Sequence, residues 1–432
     1  MILRPGQCDI KEISISNNNK DVLFNRSNGL LNYVQTVDIY ESIYTPYITA
    51  DVTMVDGSSL KESLNLSGGE DFNIKFLGYG NDEPLSYNLN LGEVNGSITA
   101  QNLRSKIVSL RMFSNEYVLS SAKTISKSYS TSTKDIVSDI LSNFLESKKS
   151  ITVDGTKDLP IVIFPYLNPL TAISFLRQRS VCENDPSSPM LFFENQKGYF
   201  FTSVNTIFAN NGAGSSEVQT FFQKEGISSN VKGNQSSITD LNAYKLFANY
   251  TVQTPVDVSS LLSEGGINCV ISDFDFNTKK FKRRLFTNSP GNGSFVDFTD
   301  GKNSLVTKKI FDDYSKFVGK GFLLPFAKYK DVDESTMNFL YDSLAEKYSY
   351  TNSLTQQKTF IDIPGNTKIM AGSIINLEVP RHDSLFDSKD KNEVESGKYL
   401  VSSVRHSINV LLDSKYDTHL ELIRYGRGVL SI

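Results

Sequence analysis

The sequence predicts a mainly β protein of the α+β class. Two small antiparallel β-barrel modules flank a mixed α/β module, and a helix-containing insertion interrupts the second barrel. Three observations carry this. Apolar and polar residues alternate with period two early in the chain, at Ile48, Ala50, Val52 and Met54 and again at Phe72, Ile74 and Phe76. Strand-like runs resume after about residue 238, whereas the longer helical stripes lie in the middle and in one late segment. Tyrosine and phenylalanine are plentiful (20 and 28), and with Thr, Val and Ile they favour strands.

At 432 residues the chain is too long for one ordinary core, so about three domains are expected. The division read from the sequence is 1–118 for the first barrel, 119–236 for the mixed module, 237–285 with 356–426 for the second barrel, and 286–355 for the insertion. A composition of 39% hydrophobic and 21% charged residues belongs to a folded globular protein rather than a disordered one. The net charge of -4 argues against a nucleic-acid coat. Cys8, Cys182 and Cys269 have no metal-type or disulfide-type spacing and read as small buried hydrophobes. The start, Met1 to Gly6, lacks the apolar core of a secretory signal, and no run reaches the roughly 18 apolar residues of a membrane span. Synthesis in a cytoplasm and no membrane insertion are the expectations.

Taken in order, the early module adds strands at Tyr87, Leu89 and Leu91 and at Ile107–Met112, with a short helix at Gly57–Leu64 plugging or flanking the barrel. A helix is expected from Thr133 to Lys148, opened by Ser132 with Asp135 in a capping-box-like start. A second begins at Asn168-Pro169 and ends near Arg179. Pro189 to Phe201 reads as a hairpin turning at Asn195–Gly198. Segments rich in Ser, Asn and Gly at 209–216 and 228–237 mark a loop and a boundary. Strands follow through Leu246, Tyr250 and Val252 and through Gly266–Asn277. There the spacing of Asp273, Asp275 and Asn277 fails as a calcium loop, because Thr278 and Arg284 stand where glycine and glutamate are required. A helix is expected from Glu334 to Gln357. Phe360, Ile361 and Ile363 form a strand stopped by Pro364-Gly365, and a turn at Ala371-Gly372 starts the next at Ile374–Leu377. Tyr399–His406 and Thr418–Arg424 close the barrel as an antiparallel pair, and the charged loop 381–395 is expected to be mobile.

No catalytic, cofactor or metal constellation emerges. His382, His406 and His419 lack a third ligand at metal spacing, and no nucleophile elbow or His-Glu-x-x-His is present. Glu194 ends a strand beside a turn with no partner acid at fixed spacing. Lys279, Lys280, Lys282, Arg283 and Arg284 form the densest basic run, read as a solvated strand end or a contact with an acidic partner.

Three stretches together resemble a known family. They are Asp38–Tyr47, with Tyr40, Glu41, Ser42 and Pro46 followed by Asp56; Leu191–Phe201, with Phe192, Phe193, Glu194 and Gly198; and Phe360–Leu377, with Ile363, Pro364, Gly365 and Gly372. Their order resembles the central baseplate hub proteins of contractile-tailed phages and the related hubs of other contractile injection machines, over about residues 30–425. The resemblance departs at 206–236 and in the length of 286–355. It implies a non-enzymatic homotrimer in the virion's tail baseplate, whose two barrels per chain make a pseudo-sixfold ring. The implied partners are a tail spike, which often carries a lysozyme-like domain, tail-tube or tube-initiator proteins, and wedge proteins. Double-stranded DNA would pass without specific binding, and no cofactor is implied. The alternative is a tail-tip carbohydrate-binding adhesin or glycan hydrolase, which predicts stacked tyrosines and paired carboxylates.

Overall fold

The computed structural model describes residues 5–17, 20–24, 29–56, 66, 68–79, 83–99, 106–157, 161–214, 217–223, 245–253, 259, 263, 268–275, 279–287, 320–326, 343–348, 350–351, 354, 358–379, 392, 395–411 and 414–424. The early strands are β1 (Cys8–Asn17), β2 (Lys20–Phe24), β3 (Val34–Ser42), β4 (Thr49–Asp56), β5 (Asp71–Gly78), β6 (Leu85–Thr99) and β7 (Lys106–Phe113). They pair antiparallel in the order β2-β1-β5-β6-β7-β4-β3. The predicted alternation holds. In β4 every second residue, from Ala50 to Met54, is buried, and Phe72, Ile74 and Phe76 of β5 face the same core.

The middle module contains α1 (Asn115–Ala122), β8 (Ile125–Tyr129), α2 (Thr133–Asp139), β9 (Ile151–Val153), β10 (Thr156–Lys157), β11 (Val162–Leu167), α3 (Pro169–Arg179), β12 (Val181–Cys182), β13 (Met190–Asn195), β14 (Gly198–Ser203) and α4 (Val204–Ala209). Ser132 caps α2 by accepting the Asp135 N–H at 3.2 Å. The expected helix to Lys148 stops earlier. Residues Ile140–Phe144 widen into a π turn, and Glu146 turns left-handed at φ 54°. α3 carries Pro169 in its first turn as expected, but Asn168 makes no side-chain cap. Every residue of the strands β13 and β14 is buried. Phe192, Tyr199 and Phe201 pack into the middle core, while Leu191, Phe193 and Phe200 pack into a second core shared with the late barrel. A strand apolar on both sides is covered on both sides.

The late strands are β15 (Gln219–Gln223), β16 (Leu246–Gln253), β17 (Asn268–Asp275), β18 (Lys280–Thr287), β19 (Lys320–Phe326), β20 (Lys358–Pro364), β21 (Ile374–Glu378), β22 (Gly397–Asn409) and β23 (Lys415–Ile423). Six of them close a barrel in the cyclic order β22-β21-β15-β16-β20-β23. Two sequence boundaries shift. β15, assigned by sequence to the middle module, belongs to the barrel wall and runs parallel to both neighbours. A parallel strand needs a long connection instead of a hairpin, so no turn signal announces it. β17 and β18, assigned to the barrel, instead form a three-stranded sheet with β19.

The expected independent closure of the first barrel is also corrected. β22 changes partner at a bulge on Ser402: Leu400 pairs with Ile374 of β21, but from Ser403 onward β22 pairs with β3. The tip of the β22–β23 hairpin therefore completes the early module's wall. Gln7 bridges Lys415, the Cys8 N–H donates to the Ser414 carbonyl at 3.1 Å, and Ile408 and Tyr416 sit in the early core. One hairpin serves both modules.

Cys8, Cys182 and Cys269 are buried thiols. Described residues of the insertion helix, including 343–348, are helical, with Tyr350 and Leu354 in the shared core. The helix expected at 57–64 and the boundary at 228–237 lie outside the described residues, as does the charged loop 381–395 apart from Asn392 and Glu395.

Candidate functional site

The three stretches that carry the resemblance, far apart in sequence, meet at Glu41. Val37, Ile39 and Glu41 share the inward face of β3, so the alternation of that strand drives a carboxylate into the interior. Its two oxygens accept from the Tyr87 hydroxyl at 2.9 Å, the Gln196 N–H at 3.2 Å and the Ala371 N–H at 3.1 Å. These donors come from the early sheet, the β13–β14 turn and the turn before β21. Burial pushes the carboxyl up to about 7, against the pull of the Ala371 N–H and the Tyr87 hydroxyl, and the neighbouring Glu194 adds to the rise.

Around this acid the middle hairpin and the late turn are sewn together. Asn195 donates its side-chain amide to the carbonyls of Ala371 and Ala213 at 3.0 and 3.2 Å, and Gln196 donates to the Thr367 carbonyl at 3.0 Å. Gly372 adopts φ 87°, and a Cβ there would lie 2.9 Å from the Phe193 ring and from Ala213. Gly365 is tighter, since a Cβ would fall 2.0 Å from the Tyr416 ring. Both glycines permit close approach of backbone to an aromatic ring. Ile363 and Pro364 occupy β20 opposite Thr418 and Asp417 of β23.

Glu194 faces the other side of the hairpin. It takes the Lys149 ammonium at 2.6 Å, the Ser114 hydroxyl at 2.7 Å and the Tyr199 hydroxyl at 3.2 Å. Lys149 also reaches Glu116 at 2.6 Å, and Ser114 holds the Ile48 N–H at 2.9 Å, which ties the middle module to β4. Burial raises the Glu194 carboxyl, and Lys149 opposes the rise. Gly198 turns the hairpin at φ 129°, packed on the Ser150 carbonyl. Not all predicted positions join this junction. Pro46 makes the corner between β3 and β4, and Asp56 ends β4 opposite Lys106. Lys279, Lys280, Lys282 and Arg283 lie exposed at the start of β18 and just before it, with Arg284 on the same strand.

The outer face of the shared wall forms a groove of about 640 Å³ between the two modules. Tyr40 and Ser42 line it. Arg405 lies over the Tyr40 ring at 5.7 Å, and Ser42 bonds the Ser403 hydroxyl at 3.0 Å. Arg111 pairs with Asp51 at 2.8 Å, Arg405 with Asp38 at 3.1 Å and Lys358 with Glu421 at 3.1 Å, and His419 lies 2.5 Å from Asp362. The last is a carboxylate–imidazole dyad. Among the described residues no hydroxyl or thiol bonds its other ring nitrogen. No group of three or more metal-ligating side chains occurs among the described residues.

Sequence reasoning missed Lys149, Ser114, Tyr87, Asn195 and Gln196. The one available signal was an acid on the apolar face of an alternating strand, which must find donors when buried.

No protein-family model matches the chain, and no curated protein matches it in sequence. Its fold is similar to that of a tail protein from Neisseria meningitidis, at TM-score 0.54 and 9% identity over 96% of each chain. A 43 kDa tail protein of a Shewanella oneidensis prophage aligns at TM-score 0.49 and 10% identity, over 96% of this chain and 98% of that one. A type VI secretion component of E. coli aligns at TM-score 0.46 and 11% identity, over 98% and 79%. The mainly β architecture is thus similar to the fold of the Neisseria tail protein.

Proposed function

We propose that this chain is a structural hub of a contractile tail baseplate. Three copies would join edge to edge in a ring, with early and late modules alternating around it as six similar lobes. The observation that carries the reading is the β22–β23 hairpin, which fuses the two modules into one continuous wall. A fused pair of lobes repeated threefold gives near-sixfold symmetry on one side and threefold on the other, suited to joining a tube to a trimeric spike. The tail protein fold supports a structural role in a tail. The groove would face the lumen. Because its cations are held by Asp51, Asp38 and Glu421, it offers DNA few free charges to grip. The spike below, the tube above and the wedge proteins around are the proposed neighbours.

The competing reading, a glycan-binding tail tip, has one observation in its favour: Tyr40, Tyr47 and Phe113 all line the groove. Mass measurement with glycan binding separates the two. The hub reading expects a particle of three times 48.2 kDa, ring-shaped and six-lobed in electron micrographs, and inert toward glycans. A monomer that binds or cleaves glycans would sink it.

A further inference from the structure

The basic strand β18 lies outside both barrels and outside the Glu41 junction. In the small sheet its neighbour is β17, and among the described residues no strand occupies its other edge. The two faces of β18 differ. On one, the register sets Lys280 opposite Asp275 and Lys282 opposite Asp273. On the other, Phe281, Arg283 and Leu285 follow one another at alternate positions. Phe281 is 60% and Leu285 58% exposed, and in register Arg283 faces Ser272, which brings no charge. An exposed row of the form apolar, cation, apolar on a strand edge left open among the described residues is unusual, since edges are normally blunted.

We propose that β18 is a strand-addition site for an extended acidic segment of a protein partner. Backbone groups on the open edge supply the ladder, and side chains supply the selectivity. An acid beside Arg283, flanked by apolar residues beside Phe281 and Leu285, would complete on the open side the pairing that Ser272 leaves incomplete. Lys279, exposed at the hairpin turn, adds to the attraction for an acidic chain. A nucleic acid is the weaker candidate. Phosphates would engage the cations but would leave two large apolar side chains in water, and a duplex cannot use a strand edge.

The test uses the full chain and a blocked, fluorescein-labelled peptide, Thr-Val-Thr-Glu-Thr-Ile-Thr, with a second peptide carrying lysine in place of glutamate. The acidic peptide is expected to bind, to protect alternate β18 amides from hydrogen exchange, and to lose affinity as salt is raised. Arg283→Glu should weaken it by about five- to tenfold and restore binding of the lysine peptide. Arg283 is exposed, so the circular dichroism of the variant should match that of the parent. Absence of protection at β18, or indifference to the charge swap, overturns the proposal. Displacement of the peptide by random-sequence duplex DNA would overturn it too, by making the strand a phosphate-contacting surface.

Discussion

The early and late modules are both curved walls of strands around an apolar core, yet they close differently. The late barrel completes its ring from its own six strands. The early wall runs from β2 to β3 and is completed by a hairpin that belongs to the other module. Dependence therefore runs one way. A defect in the late core should spread to the early one, whereas a defect in the early core away from that hairpin should stay local.

The sharpest way to break that comparison is at the hairpin itself. Tyr416 is fully buried in the early core, stands edge-on to Phe76 and is covered by Gly365. Tyr416→Ala should cost about 3–5 kcal/mol in denaturant titration and expose amides in both modules. Core truncations test the asymmetry directly. Leu422→Ala in the late core and Leu110→Ala in the early core should each cost about 2–5 kcal/mol. Hydrogen exchange should rise in both modules for the first and only in β1–β7 for the second. Equal spreading from both sites would show that neither module leads.

Glu41 gives a smaller effect, tied to pH. Its folded carboxyl keeps its proton up to about pH 7 against an ordinary value of 4.5, so the folded state binds more protons between those values. Stability should fall as pH rises through that window, by at most about 3 kcal/mol, and Glu41→Gln should flatten the slope in melts taken from pH 4 to 8. Gly372→Ala, forced against Phe193 in a left-handed conformation, should cost about 1–3 kcal/mol and loosen the contact between middle hairpin and late barrel. Smallest of all, Arg111→Ala in the groove should change stability by less than about 1 kcal/mol, because its pair with Asp51 is exposed. A large loss there would mean that the groove wall is structural rather than a free surface.

Much of the fold was legible locally. The alternation of β4 and β5, the proline-led start of α3, the β13–β14 hairpin and the Pro364-Gly365 stop all appear where the side chains ask for them. The junction was legible only as three conspicuous stretches. Nothing near Lys149 marks it as the partner of Glu116 and Glu194, since a lysine in a polar run looks the same whether it ends in water or in a buried ion pair. β15 escaped for a related reason. Five residues that enter a barrel parallel to both neighbours have no hairpin to reveal them.

By itself, then, the sequence determined periods and turns, because these depend on contacts within a few residues. The tertiary structure alone decided that β22 leaves β21 at Ser402 to pair with β3, and that Glu41 finds its donors on two other modules. Those choices join residues more than 100 positions apart. They are settled by how whole faces pack and which buried polar groups find partners, and neither is written in any short stretch of chain.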